Sequence, residues 1–589
     1  MLESGTIGSV AGVSGVNPVD EERAFEPDHK PAGAVPRRAA SWPAGRLAAS
    51  GRELACLGAI LALAAALRFV NLPARGGWDS DQGTSMLDLH RAISTGQLPT
   101  FGPLSSLLTF HHGALYYDLL LPAAWLGSGD PTWVVAEIAL LSLLVVPIVW
   151  WIARSIGGPA AGLTAALLAA VSASLIGYAT FIWNPTLVEP GAAVAFLGAW
   201  QALRTRRAGW WVLSAVGATV AMQAHVAAAM IALPLTLAFL LDLRLGPPAR
   251  RIRIVAWGLI GVGVLVVSYL PLIAYELGHN FAETRGILAY FTDTSSVSTA
   301  GPVQRLILAT VRIIAWPLTR WPLVDRIAAV PVAFMVASSI LIGLAWRLGA
   351  TSQAREPEGP DPASGSAATS LTARSAGAAE PALPWGGEGF GVRVIVGWLL
   401  ILILALGLGL RSVSEIQSLP TEQYHAIVDP LVLVAAGLVV GGLWKQGRQR
   451  WMTISRRIVA LAALGLVLTW NVGHWPPLTS PDGGWPAAQA AATRLERDAG
   501  GSAIAIVPLF APAGSDAYLY PLERDGVTAV APDRATTVVL LCDSTWLTGC
   551  GGSAETSWLA TDPAALGLTR IDRFAAAPDR IISVYVRVP

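Results

Sequence analysis

The stretch "HGALYYDLLLPAAWLG" (112–127) decides how this chain is threaded. It is apolar and suits a helix, yet it carries Asp118 in its middle and falls short of the ~20 apolar residues that cross a hydrocarbon core. If it crossed a bilayer, every arginine cluster downstream would change sides. If it lies along the membrane surface, the clusters agree with one another.

Composition makes this a membrane question. Of 589 residues, 53% are hydrophobic and 13% charged, where a soluble domain carries about 25% charged residues. Mean hydropathy is +0.54. Candidate spans fall at 53–72, 132–153, 159–179, 186–203, 209–224, 225–242, 254–275, 327–346, 391–411, 425–444 and 456–472. The chain therefore reads as a polytopic α-helical membrane protein with about 11 transmembrane helices. The formal charge is +1 and no basic run stands clear of the spans, so nothing here points to a nucleic-acid partner.

Short loops between these spans carry Arg154; Arg204, Arg206 and Arg207; Arg244, Arg250, Arg251 and Arg253; Arg347 and Arg355; and Lys445, Arg448, Arg450, Arg456 and Arg457. With 112–127 on the surface, all of them share the side of the N-terminal tail, which holds Arg37, Arg38, Arg46 and Arg52. Cations concentrate on cytoplasmic loops, which makes that side the cytoplasm. Residues 1–50 then read as a disordered cytoplasmic tail, followed by an uncleaved signal-anchor. Residues 51–474 form the transmembrane domain. Within it, 73–131 is a long outer loop with surface helices, 276–326 a second outer loop, and 349–390 a flexible cytoplasmic linker.

Residues 475–589 read as a small extracytoplasmic α/β domain. An amphipathic helix at 485–500 precedes β-branched runs at 502–510, 536–544 and 580–588. Cys542 and Cys550 lie eight residues apart on the oxidising side of the membrane, which suits a disulfide. Cys56 reads as a small buried apolar helix residue. The 23 tryptophans gather near span ends, as Trp150, Trp151, Trp210, Trp211 and Trp316 do, and suggest an interfacial belt. Arg68, late in the first span, is expected to snorkel outward.

The chemistry-bearing residues lie in the long outer loop. "GGWDSDQGTSMLDLH" (76–90) carries Asp79, Asp81 and Asp88, with His90 and then Arg91 behind them, and "TFHHGALYYD" (109–118) adds His111, His112, Tyr116, Tyr117 and Asp118. Helical spacing puts Asp81, Ser85 and Asp88 on one face. A carboxylate here suits a general base toward an acceptor hydroxyl or amine, or a ligand for a divalent metal. Histidine and arginine suit a phosphate. The bland alternative is that the acids merely end a helix at the interface.

In order and sidedness these motifs resemble the C-type (GT-C) membrane glycosyltransferases, most of all family 39 and its protein-mannosyltransferase-like and aminoarabinose-transferase-like bacterial relatives. "WDSDQGTSM" (78–86) matches the family's Asp-Glu motif with Asp81 on the Asp and Gln82 where Glu is usual. "FHHGALYYDLL" (110–120) matches its aromatic, polar-pair and Tyr-Tyr run, with Gly113 in place of Pro. "MQAHVAAAMIALPL" (222–235), "YLPLIAYELGHNFAETR" (269–285) and "EQYHAIVDPLVL" (422–433) match later segments, with Gln423 where Arg is usual.

The resemblance implies a polyprenyl-phosphate-linked sugar as donor, bound from the outer leaflet, an inverting transfer to a protein, lipid or glycan acceptor, and a multi-pass place in a bacterial plasma membrane. It implies Asp81 as general base with Asp79 next, both also as tentative metal ligands. His111, His112, Arg91 and Arg285 are implied for the phosphate or acceptor. Gln223 with His225 either lines the donor cavity or makes an interhelical hydrogen bond. Glu189 is either functional or interfacial, and Glu276, Tyr424 and His425 flank the cavity. Competing expectations are a lipid-linked glycan flippase or transporter, against which no internal repeat is found, and a catalytically inactive GT-C-like scaffold.

Overall fold

The computed structural model describes residues 49–105, 110–292, 301–321, 329–353, 387–409, 422–445, 449–510, 514–544 and 547–587. The expected tail up to residue 48 and the linker residues 354–386 lie outside the described residues.

Ser50 accepts the Glu53 N–H at 3.2 Å and starts α1 (Gly51–Phe69). A single helical turn, α2 (Leu72–Arg75), leads to α3 (Ser80–Thr95), which stops where Gly96 takes a left-handed φ of 70°. The deciding stretch becomes α4 (Leu115–Leu126), whose 12 residues cover only about 18 Å. It does not span; it packs on α3 and on α5 (Pro131–Gly157).

The bundle continues with α6 (Pro159–Val171), α7 (Ala173–Tyr178), α8 (Val188–Thr205), α9 (Trp210–Ala224), α10 (Ala232–Leu245) and α11 (Pro248–Ser268). Then come α12 (Leu270–Gly278), α13 (Ala282–Thr292), α14 (Pro302–Thr319), α15 (Val330–Gln353), α16 (Glu388–Gly409), α17 (Asp429–Leu443) and α18 (Arg450–Gly473). Seven helices among the described residues are long and apolar enough to cross a membrane: α5, α10 with its leading turn, α11, α15, α16, α17 with its leading turn, and α18. The other four expected spans fall on α1, on α6 with α7, on α8 and on α9. Small residues let α8 and α9 touch backbone to backbone: a Cβ on Gly191 or Gly217 would run into the facing main chain.

Three expectations need correction. The second loop, 276–326, is largely helix: α13 and α14 occupy it, and α14 buries Ala309 and Val311–Thr319 against its neighbours. Arg305 and Arg312 break its apolar run, which hid a packed amphipathic helix from a hydropathy reading. Arg68 does not snorkel. It is fully buried and donates to Ser142 Oγ and to the carbonyls of Ala64, Ala169 and Ala170 at 3.1–3.2 Å. Cys56, expected to be buried, is exposed, whereas Trp150, Trp211 and Trp316 are buried.

Several loop cations are paired at the bundle end opposite α3. Arg154 Nε donates to Glu53 at 2.5 Å, Asp242 accepts from Arg206 and Arg250 at 2.8 Å each, and Glu388 pairs with Arg347 and Lys445.

Beyond the bundle come α19 (Gly484–Ala499), β1 (Ile504–Pro508), α20 (Asp516–Arg524), β2 (Thr537–Asp543), α21 (Ser553–Thr561), β3 (Leu568–Ala577) and β4 (Arg580–Arg587). The sheet runs β1-β2-β4-β3, with β1 parallel to β2 and the other pairs antiparallel. The buried central strands were readable as β-branched runs. The edge strand β3, mostly exposed and charged, was not. Cys542 and Cys550 are joined by a disulfide at the end of β2.

This sheet domain is docked on α3. Trp78 packs on Trp485 at 4.6 Å, its Nε1 donates to Ala517 O at 2.7 Å, and Thr84 Oγ1 donates to Asp516 at 2.7 Å. Gly83 is required by this contact, because a Cβ there would collide with the Asp516 carbonyl.

Candidate functional site

The site is built around the start of α3. Asp79 is its N-cap and accepts the Asp81 N–H at 3.0 Å. Gln82 closes a capping box: its Oε1 accepts the Asp79 N–H at 2.9 Å while its Nε2 donates to Ile182 O at 2.7 Å. That second bond explains the amide where the resemblance expects Glu, since an ionised carboxylate has no proton to donate.

Both aspartates stay open to solvent while protein fills most directions around them. Burial pushes the Asp81 carboxyl up to about 6, and the Asp79 charge adds to this. Burial raises Asp79 too, against the pull of the Asp81 N–H and the Arg580 guanidinium.

Asp79 and Gln82 open into a cavity of about 280 Å3, lined also by Arg75, Tyr178, Phe181, Trp183, Trp316, Arg320, Glu422 and the proline segment Pro476–Pro477. Arg320 caps α14 in a left-handed conformation, φ 57°, and this turn aims it at Gly177. Such a φ is costly for a side-chain-bearing residue. Two guanidiniums and two carboxylates thus share one recess with an aromatic wall.

Sequence reasoning missed Arg75, Tyr178, Phe181, Trp183, Arg320 and Glu422, and read Trp316 only as interfacial. Tyr178, Phe181 and Trp183 share one segment and the others come from separate ones; none carries a local signal, except that Phe181-Ile182-Trp183 alternates as an extended strand would.

Asp81, Ser85 and Asp88 do share a face of α3, where the Tyr116 hydroxyl neighbours Ser85 and Asp81, and the Tyr117 hydroxyl neighbours Ser85 and Asp88. His111 is held by Glu283 of α13, which accepts its N–H at 2.6 Å and lies 2.9 Å from its Nδ1. His112 stacks on His225 at 5.1 Å, and Tyr424 meets His225 edge-on at 5.1 Å. Burial pushes His112 down to about 4, with His111 adding to the effect, so its ring is neutral at pH 7.

Gln223 ties this layer together: its Oε1 accepts the Leu115 N–H at 3.1 Å and its carbonyl accepts from Gly113 at 3.0 Å. Gly113 stands where Pro is usual because no Cβ fits beside Gln223. His425 is buried edge-on to Trp316 at 6.0 Å. Glu189 is buried near Asp429 and Arg68 at the start of α8 rather than at an interface.

Of the expected site residues, Asp79 alone lines the cavity. Glu276 is spent on the start of α13, accepting the N–H groups of Glu283 and Thr284 at 2.8 and 3.0 Å. Arg285 is exposed beside Glu276. Arg91 reaches Asp88 and Glu523 only at 3.9 and 3.7 Å, a rim pairing of little strength.

A divalent ion at this site would rest on Asp79 and Asp81 alone, with one Asp79 oxygen already given to the cap. Among the described residues no group of three or more His, Cys, Asp or Glu is placed to hold a metal. The donor set does not fit a protein-held ion, and no step below passes through one.

No protein-family model matches the sequence, and no curated protein does. Solved structures are similar in fold. ArnT from Cupriavidus metallidurans bound to undecaprenyl phosphate superposes with a TM-score of 0.54 at 13% identity, over 91% of this chain and 98% of that one. The apo state of the same protein gives 0.52 at 12% identity, over 90% and 98%. At this identity the likeness shows the fold: a multi-pass membrane protein with the GT-C architecture and a small C-terminal mixed sheet.

Proposed function

We propose that this protein is a membrane glycosyltransferase that moves a sugar from a polyprenyl-phosphate donor to an acceptor on the extracytoplasmic face of the plasma membrane. The observation that carries the reading is the convergence of Asp79, Arg75 and Arg320 on one recess at the bundle end opposite the paired loop cations. Cations favour the cytoplasmic side, which supports a recess that faces outward and an N-terminus within. A structure of the same fold holds undecaprenyl phosphate, which supports a polyprenyl-phosphate ligand here.

In this reading Asp79 takes the proton of the acceptor hydroxyl as that oxygen bonds to the anomeric carbon. The bond from that carbon to the phosphate oxygen breaks. Its electron pair leaves with the polyprenyl phosphate, whose charge Arg75 and Arg320 hold. Attack opposite the leaving group inverts the centre. The resemblance favours Asp81 as base, but Asp79 lines the recess and is assigned the proton. Asp81 sits beside it as a second charge that raises the basicity of the pair.

The test uses purified protein in nanodiscs. Undecaprenyl phosphate should bind the wild type, and Arg320→Ala should weaken it at least tenfold. With undecaprenyl phosphosugars as donors, Asp79→Asn should slow release of undecaprenyl phosphate by roughly 10²–10⁴-fold while binding persists. Release at the wild-type rate would reject the assignment, and absence of undecaprenyl phosphate binding would reject the reading.

A further inference from the structure

We infer that the wall formed by Tyr178, Phe181 and Trp183 is a platform for the sugar ring of the donor, distinct in role from the cations that hold its phosphate. The inference rests on the glycosyltransferase reading and names what that reading leaves open: which surface recognises the sugar.

The three rings are nearly parallel. Tyr178 and Phe181 lie 6.5 Å apart at 21°, Tyr178 and Trp183 6.0 Å apart at 22°, and Phe181 and Trp183 5.7 Å apart at 23°. A column of stacked rings would give two short separations and one twice as long. Three similar separations make a triangle, so the rings group, offset from one another, into one aromatic slab rather than a column.

The backbone explains the placement. Trp183 is extended, with φ −161° and ψ 138°, and in extended chain alternate side chains share a side. Phe181 and Trp183 therefore stay half-exposed toward the cavity while Ile182 turns into the core. Gly76 presses on Thr180 and Phe181, and Gln82 holds the Ile182 carbonyl, so the slab is fixed to the loop that carries Asp79.

A bare aromatic slab would suit any apolar ligand. This one shares its cavity with Asp79, Gln82, Arg320 and Glu422, and with Pro476, Pro477 and Pro481. A sugar ring has the matching character: a flat C–H face for the rings and hydroxyls around its edge. Sugar hydroxyls would meet these polar groups, whereas a lipid tail would leave Asp79, Gln82 and Arg320 facing hydrocarbon without partners.

The experiment compares binding of undecaprenyl phosphate with that of its phosphoglucose, phosphomannose and phosphoarabinose forms to the full chain in nanodiscs. At least one phosphosugar should bind more tightly than undecaprenyl phosphate alone. Trp183→Ala should remove about tenfold of that gain, in line with a lost aromatic contact, and leave undecaprenyl phosphate binding unchanged. Trp183→Phe should keep most of it. Arg320→Ala, in contrast, should weaken every ligand alike.

If no phosphosugar gains over undecaprenyl phosphate, or if Trp183→Ala weakens all ligands equally, the platform is overturned while the donor reading stands. If undecaprenyl phosphate itself fails to bind the wild type, both fall. Unfolding temperature of each variant guards against misfolding, and loss of the gain in Trp183→Ala with retention in Trp183→Phe excludes a purely structural effect.

Discussion

Arg580, on the last strand, donates from Nη1 to the carbonyl oxygen of Trp78 at 2.6 Å, across 502 residues of sequence and one position before Asp79. Its Nε also reaches Asp543 at 3.3 Å. The C-terminal sheet thus grips the loop on which the reaction chemistry is proposed, and its guanidinium charge acts on Asp79 itself.

Arg580→Ala should therefore do two separable things. Loss of a charge-assisted hydrogen bond should lower stability by about 1.5–3 kcal/mol, read as a lower unfolding temperature in detergent. Loss of the cation should raise the Asp79 carboxyl further above its ordinary range, because Arg580 opposes the upward push of burial. A base must be ionised to work, so the acid limb of the pH–rate profile should move to higher pH. Arg580→Lys should restore the limb more fully than the stability, since it returns the charge without the fork. An unmoved limb in Arg580→Ala would show that the contact is only mechanical.

Gln82 offers the converse case, where replacement by glutamate should harm. In Gln82→Glu the Asp79 N–H keeps an acceptor, but Ile182 O loses its donor and meets a carboxylate instead. The cost should be about 1–3 kcal/mol for a buried polar group left unpaired, with no gain in metal affinity by isothermal titration with Mg2+ or Mn2+. A variant at least as stable as the wild type would show that the capping box does not select the amide.

How far the sequence could be read follows from where each signal resides. Asp118 and the length of 112–127 argued against a span, and a helix of twelve residues, too short to cross, is what the structure holds. Asp79 and Asp81 were legible because they sit together where an apolar run ends. Arg75, Tyr178, Arg320 and Pro476 were not, since no stretch of chain contains two of them and only folding assembles the recess. Hydropathy averages also misplaced single residues. They treated Arg68 as a charge seeking water, whereas three carbonyls and a serine satisfy it inside the bundle. They treated His111 as free for phosphate, whereas Glu283, on a helix hidden within an expected loop, holds it.

Asp81 supplies a pH dependence whose sign differs from that of a paired carboxylate. Its folded-state value is pushed up to about 6 from 3.8, first by burial and then by the Asp79 charge. A raised carboxyl binds its proton more tightly folded than unfolded. Its favourable contribution is complete below pH ~4 and is lost as pH climbs through about 6, the reverse of a salt-bridged acid. Asp81→Asn removes this titration. Wild type and variant should unfold at similar temperatures near pH 4, and the variant should be the more stable above pH 7. The gain should fall well short of the full shift, because Asp81 remains open to solvent and screened. Unfolding temperatures of both proteins across pH 4–8 test it: a gap that is constant with pH, or that closes as pH rises, would mean that Asp81 ionises as an ordinary exposed carboxylate.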